Sequence, residues 1–281
     1  MSQPFSAWQR GLRQPNLLVG MLLSSCLLLC ALLSLIWTPW DPYAMNIDAK
    51  LLLPDSQHWL GTDAFGRDVL SQLMVGARSS IAVGVIAVGI GLVFGVALGL
   101  LASALRGWVE AVIMRLSDFT FAFPAILLAI MMTAVFGPSM VNAIIAIGIF
   151  NIPTFARITR ASANAIWTRE YITAARACGK NRFSITFQHV LPNIMGVLIV
   201  QATIQFALAI LAEAALSYLG LGTQPPQPSW GRMLSDAQTL MFQAPLLAIF
   251  PGVAIALSVL GLNLLGDGLR DLLDPRLHRQ R

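Results

Sequence analysis

The chain has 281 residues, of which 57% are hydrophobic and only 11% charged, and its mean hydropathy is +0.73. Soluble domains carry about 25% charged residues, so a water-soluble fold is excluded and an integral membrane protein is indicated. The formal charge of +5 is gathered in particular loops, which leaves no basic face interleaved with aromatics of the kind nucleic acid needs.

Apolar runs able to cross a core of ~30 Å, about 20 residues at 1.5 Å each, fall at 17–37, 81–104, 119–136, 139–156, 193–216 and 245–266. They predict an all-α membrane protein with six transmembrane helices. The first run follows Arg10 and Arg13 like a secretory leader, but it is longer than a leader's apolar region and no Ala-x-Ala cleavage pattern follows. It is read as a retained span. Cys26 and Cys30 lie one turn apart within it, and Cys178 is the third cysteine; the set suits neither a disulfide nor a metal and reads as small apolar filler.

Segment 38–78 is rich in Asp, Pro and Gly. Its Leu70, Leu73, Met74 and Ala77, at i, i+3, i+4 and i+7, predict an amphipathic helix lying along the outer surface ahead of the second span. In that span Gly91, Gly95 and Gly99 put small residues along one stripe and predict close helix approach. Pro124 and Pro153 predict kinks in the third and fourth spans, and Asp118, three residues after Arg115, predicts an ion pair on one helix face. Loop 217–244, containing GLGTQPPQPSWGRML, predicts a short segment folded back at the membrane interface, anchored by Trp230.

Segment 157–192 carries Arg157, Arg160, Arg169, Arg176, Lys180 and Arg182 against a single acid, Glu170. Each cation at mid-depth would cost about 3 kcal/mol, so the segment lies outside the bilayer. Fourteen of the 18 Lys and Arg fall in the N-terminus, 105–118, 157–192 and the tail, which predicts that these and both termini are cytoplasmic. The resulting division is 1–16 cytoplasmic, 17–37 first helix, 38–78 extracytoplasmic, 79–268 a five-helix core and 269–281 a cytoplasmic tail.

Within the basic loop Tyr171, Ala174, Ala175 and Cys178 share a face of a short helix whose polar side holds Arg169, Glu170, Thr173 and Arg176. Gly179 suits a helix end that needs positive φ. Phe183, Phe187, Val190 and Leu191 form a second apolar face, and Pro192 stands where the fifth span begins. Two short helices joined at a glycine make an elbow whose apolar face and cationic rim fit either a groove on another protein or anionic lipid.

Inside the spans Gln201, Gln205 and Glu213 form a slowly drifting polar stripe, read as part of a translocation path with Glu213 in an outer gate. No GxxxxGK[ST] occurs: Gly179 and Lys180 are followed by Asn181, and Ala174 stands where the first glycine belongs. Nucleotide must then bind another polypeptide. His58, His189 and His278 are scattered, and no catalytic triad, metal cluster or cofactor site is indicated.

TAARACG, nine residues and HVLP resemble the EAA loop of ABC-importer permeases: Ala174, Ala175, Gly179, Leu191 and Pro192 match, while Thr173 stands for Glu and His189 for an apolar residue. HWLGTDAFGRD, GARSS, MRLSDFTFAFP, EAALSYLGLG, PSWGRML and NLLGDGLRDLLDPRL extend the resemblance from about residue 58 to 277, to the second permease subunit of dipeptide, oligopeptide and nickel importers. The resemblance implies a type I importer permease fold in a bacterial inner membrane, with the coupling helices between spans four and five. It also implies a non-catalytic subunit in contact with membrane lipid, paired with a homologous permease and working with two cytoplasmic ATPases carrying Mg-ATP and an extracytoplasmic solute-binding protein. Arg169, Thr173, Ala174, Ala175, Arg176, Gly179, Leu191 and Pro192 would then meet the ATPase. The expected solute is a di- or oligopeptide, with nickel or a metal chelate as the alternative. A secondary transporter or channel would call for an ion relay and inverted repeats, and a membrane hydrolase for a nucleophile with its base.

Overall fold

A computed structural model describes residues 14–273; Arg10, Arg13, Arg276, Arg279, Arg281 and His278 lie outside them. The described residues are helical, with one isolated β-bridge between Thr62 and Asp68. The helices are α1 (Pro15–Leu33), α2 (Val69–Leu105), α3 (Gly107–Phe121), α4 (Ala125–Phe136), α5 (Met140–Trp167), α6 (Glu170–Ala177), α7 (Arg182–Tyr218), α8 (Trp230–Ala237) and α9 (Leu246–Leu273). Five are long and apolar enough to cross a membrane, and the bent pair α3–α4 makes six.

The glycine stripe does what its spacing predicts. A methyl group at Gly91 would fall on Asn151, at Gly95 2.5 Å from the Ile152 carbonyl oxygen and at Gly99 2.6 Å from the Ala156 carbonyl oxygen. Their absence lets α2 lie against α5 almost backbone to backbone, which gives van der Waals contact where lipid supplies no hydrophobic drive. The same stretch, Gly91–Gly95, is a π turn within α2. Val83, Ala87, Phe155, Ala163, Ile194 and Leu198 fill the core where α2, α5 and α7 meet. A second core joins α1, α7, α8 and α9.

Four expectations are corrected. Residues 69–78 are not a separate surface helix: the Asp68 carboxylate caps α2 through the Ser71 N–H, and Met74 and Ala77 are buried in an unbroken rod. The helix of the fourth span does not stop near 156 but continues to Trp167; along this extension Arg157 pairs with Asp118 and Arg160 donates to Glu110 at 2.5 Å, so both cations are answered by α3. Asp118 thus serves Arg157 rather than Arg115. The third span is broken rather than merely kinked: α3 and α4 meet at 82° across Ala122–Pro124, while Pro153 sits inside a continuous α5. Finally, α7 begins at Arg182 and runs through a π turn at Thr186–Val190, so Pro192 lies within a longer helix. The missing Pro192 N–H falls where the turn has already widened the ladder.

Outside the spans, residues 38–68 fold onto the start of α2. His58 Nδ1 lies 2.9 Å from Asp68 Oδ1, the Trp40 ring stacks 5.0 Å from that of His58, and the Trp40 N–H donates to Ser71 Oγ. Arg67 pairs with Asp63 at 2.7 Å and reaches Asp236 on α8, itself held by Arg232 at 3.0 Å. Burial pushes the Asp236 carboxyl above the usual carboxylate range against the pull of Arg232 and Arg67.

Candidate functional site

The elbow starts at Trp167, whose buried ring carries the Arg176 guanidinium 5.1 Å away. In α6, Ile172 is fully buried and Ala175 half-buried against the core, whereas Tyr171, Thr173, Ala174, Ala177 and Cys178 are exposed. The inward face is therefore set by Ile172 and Ala175, and Tyr171, Ala174 and Cys178 look outward. Tyr171, Ala174 and Cys178 thus lie on the outward face that an elbow fitted to a groove or to lipid calls for, Ala175 alone of the four turns inward, and Cys178 is a surface residue rather than filler. A flat ledge of small side chains is left facing away from the bundle.

The turn after α6 closes as a Schellman motif: the Lys180 N–H donates to the Ala175 carbonyl at 3.1 Å and the Gly179 N–H to the Arg176 carbonyl at 2.9 Å. That motif requires a left-handed residue, and Gly179 has φ +79°. Asn181 then caps α7, accepting from the Ser184 N–H at 2.8 Å. Two contacts tie the arms together: the Tyr171 and His189 rings meet edge to face at 6.4 Å, and Lys180 Nζ lies 2.8 Å from Gln188 Oε1 and 3.1 Å from His189 Nε2. Arg169 is exposed, Leu191 half-buried and Pro192 exposed, so the residues expected to meet an ATPase fall on one elbow. Phe183 and Phe187 do not join Val190 inside; the π turn rotates them outward, and they stack on each other at 4.6 Å. Ile172, Asn181 and the Phe183–Phe187 pair are the elbow residues that spacing alone missed or misassigned.

The polar stripe on α7 is not an open path in this conformation. Gln205 is buried and donates to Asn151 Oδ1 at 3.0 Å, and Asn151 donates in turn to the Ala87 carbonyl at 3.3 Å, which ties α7, α5 and α2. Glu213 is 0% exposed; its Oε1 accepts from Ser217 Oγ at 2.6 Å and Thr223 Oγ1 at 3.3 Å. Ser217 Oγ also accepts the Thr223 N–H at 2.9 Å. A buried polar group costs several kcal/mol unless answered; Glu213 Oε1 is answered by the chain itself, whereas Oε2 is buried without a hydrogen-bond partner among the described residues. Gln201 remains half-buried. Trp230, expected at the interface, is instead 3% exposed and donates its indole N–H to the Leu73 carbonyl, locking α8 onto α2.

The sequence pattern of the family described as "Binding-protein-dependent transport system inner membrane component" matches residues 71–279. The chain belongs to that family. As a member of it, the chain is a multi-pass permease, and its relatives are similar over nearly their full length. The chain is 43% identical over 276 residues, 97% of its length and 91% of the relative's, to the dipeptide transport system permease protein DppC of Alkalihalophilus pseudofirmus. It is 43% identical over 278 residues, covering 96% and 90%, to the glutathione transport system permease protein GsiD of Pectobacterium atrosepticum. Among solved structures, a chain of the inward-facing MetNI methionine ABC transporter superposes with a TM-score of 0.62 at 18% identity, over 72% of this chain and 96% of that one. That likeness establishes the permease fold.

Proposed function

We propose that this chain is the transmembrane permease subunit of an ATP-driven peptide importer, forming half of the path and converting nucleotide-driven movement of partner ATPases into solute uptake. The observation that carries the reading is the elbow: a Schellman-closed turn at Gly179 presenting a ledge of small side chains beside Arg169 and Arg176, in a member of a binding-protein-dependent permease family. Thr173, Ala174, Ala175, Leu191 and Pro192 belong to the same coupling element.

The relatives' names, dipeptide and glutathione permeases, support a short peptide as solute in preference to nickel or a metal chelate. Mg-ATP is bound and hydrolysed on two cytoplasmic ATPase subunits, and a homologous permease completes the path. An extracytoplasmic binding protein delivers solute to the 38–78 and 217–244 segments. The elbow and both termini face the cytoplasm in a bacterial inner membrane, as the Lys and Arg distribution supports. Gln201, Gln205 and Glu213 act at the path through its closing: Gln205 ties α7 to α5, Glu213 holds the loop after α7 down over the helix end, and Gln201 stays nearer to open space.

Reconstitution tests the reading. Proteoliposomes holding the complete transporter should accumulate labelled dipeptide only with internal ATP and external binding protein. Mass spectrometry of the ligand retained by that binding protein identifies the solute. Accumulation without ATP would sink the reading in favour of a secondary transporter.

A further inference from the structure

Beside the elbow lies a cleft of about 520 Å³, to which Leu191 is the one coupling-element residue that contributes. Its walls are α2 from Val88 to Leu100, α7 from Phe187 to Phe206, and Leu262 of α9. The lining is hydrocarbon except for the Thr203 hydroxyl, which already donates to the Val200 carbonyl at 2.8 Å. A peptide backbone lying there would leave its N–H and C=O groups unanswered, so the cleft is unsuited to the transported solute. An aliphatic chain needs no partner.

Leu100 and Phe187 mark the end of the cleft nearest the elbow. There α2 stops at Leu105 and the chain turns through Arg106 and Gly107, both at positive φ. Arg182 extends over this corner and donates from Nη1 to the Ala104 carbonyl at 2.9 Å, two residues from Arg106. Arg106, Lys180 and Arg182 are all exposed, and among the described residues none has a carboxylate within 4.0 Å, in contrast to Arg157 and Arg160 nearby. An apolar cleft between membrane helices ending in unanswered cations is divided as a phospholipid is divided, and basic pockets of this kind bind acidic headgroups.

We propose that this cleft is a binding site for an anionic phospholipid of the adjoining leaflet, one acyl chain lying along α2 and α7 and the phosphate held by Arg106 and Arg182, with Lys180 at the rim. The proposal needs only that the helices span a bilayer and is independent of the coupling role of the elbow. A helix of a second permease subunit is the competing occupant; it would fill the apolar walls and leave the cations without a counter-charge.

The test uses the complete transporter in mild detergent, delipidated and then offered phosphatidylglycerol or phosphatidylcholine with matched acyl chains, with retained lipid quantified by mass spectrometry. In the Arg106→Gln/Arg182→Gln double variant, affinity for phosphatidylglycerol should fall roughly thirtyfold, with phosphatidylcholine unchanged. Ala97→Phe, which projects a ring into the cleft and keeps the cations, should reduce retention of phosphatidylglycerol as well. ATPase co-purification from the same samples reports the elbow separately. Wild-type retention of phosphatidylglycerol by both variants overturns the proposal, and so does efficient cross-linking of Ala97→Cys to a cysteine on a second permease subunit, which would make the cleft a subunit interface.

Discussion

Substituting Gly179 separates how the elbow folds from what it touches. Gly179 sits at φ +79°, and a Cβ added there meets nothing within 4 Å. The intrinsic cost of any L side chain is therefore the backbone cost of the left-handed region, about 1–2 kcal/mol, and asparagine, which tolerates that region, costs less. In a chain of this size each kcal/mol lowers the melting midpoint by roughly 2–4 °C. Gly179→Asn, Gly179→Ala and Gly179→Trp should all fold and insert, the last two with midpoints a few degrees lower and close to each other. Uptake and ATPase co-purification should follow a different order: near normal for Asn, reduced for Ala, and lost for Trp, whose indole projects from the ledge. The assay is affinity purification of the transporter with densitometry of the ATPase subunits, paired with dipeptide uptake in proteoliposomes. Wild-type co-purification and uptake by Gly179→Trp would refute the docking assignment.

Other outcomes follow from the same geometry. Gly95→Leu should abolish the monodisperse peak in detergent chromatography, since its side chain must occupy the Ile152 carbonyl, whereas Gly89→Ala, with nothing within 4 Å, should be neutral or stabilising by up to about 1 kcal/mol. Glu213→Ala, which strands the Ser217 and Thr223 hydroxyls, should cost about 2–4 kcal/mol and speed proteolysis of loop 219–229 while ATPase co-purification persists; unchanged proteolysis and uptake would remove Glu213 from the outer closure. A double-mutant cycle on Arg160 and Glu110, partly exposed at 37% and 23%, should give a coupling of about 1 kcal/mol in thermal unfolding, and additivity would show that α3 and α5 are held by packing alone.

Hydropathy alone picked out the long apolar helices because membrane crossing demands long apolar runs whatever the tertiary contacts. The Gly91–Gly95–Gly99 stripe and the turn at Gly179 were equally legible, each depending on a local property that only glycine supplies. The extension of α5 beyond residue 156 was not: Arg157 and Arg160 look like loop charges until Asp118 and Glu110, 39 and 50 positions away, come alongside. The outward face of α6 was legible in Tyr171, Ala174 and Cys178, but the inward one was not: Ile172 and Ala175 are just as apolar, and only packing against the core turns them in. Glu213 stood out as a carboxylate inside a span, but its meaning depended on the loop bringing Thr223 back over it.

The 37 residues of α7 make one rod about 55 Å long, with the elbow at one end and Glu213 near the other. A tilt of a few degrees imposed at the elbow end of a rod that long displaces the far end by several ångströms, and the loop hydrogen-bonded to Glu213 moves with it. The π turn at Thr186–Val190 is the place where this rod can lose or regain register, since shedding one extra residue there would turn everything beyond it by about 100°. On the proposed function, nucleotide state and solute delivery would be geared to the two ends of a single shaft, with a one-tooth slip built in beside the driving end.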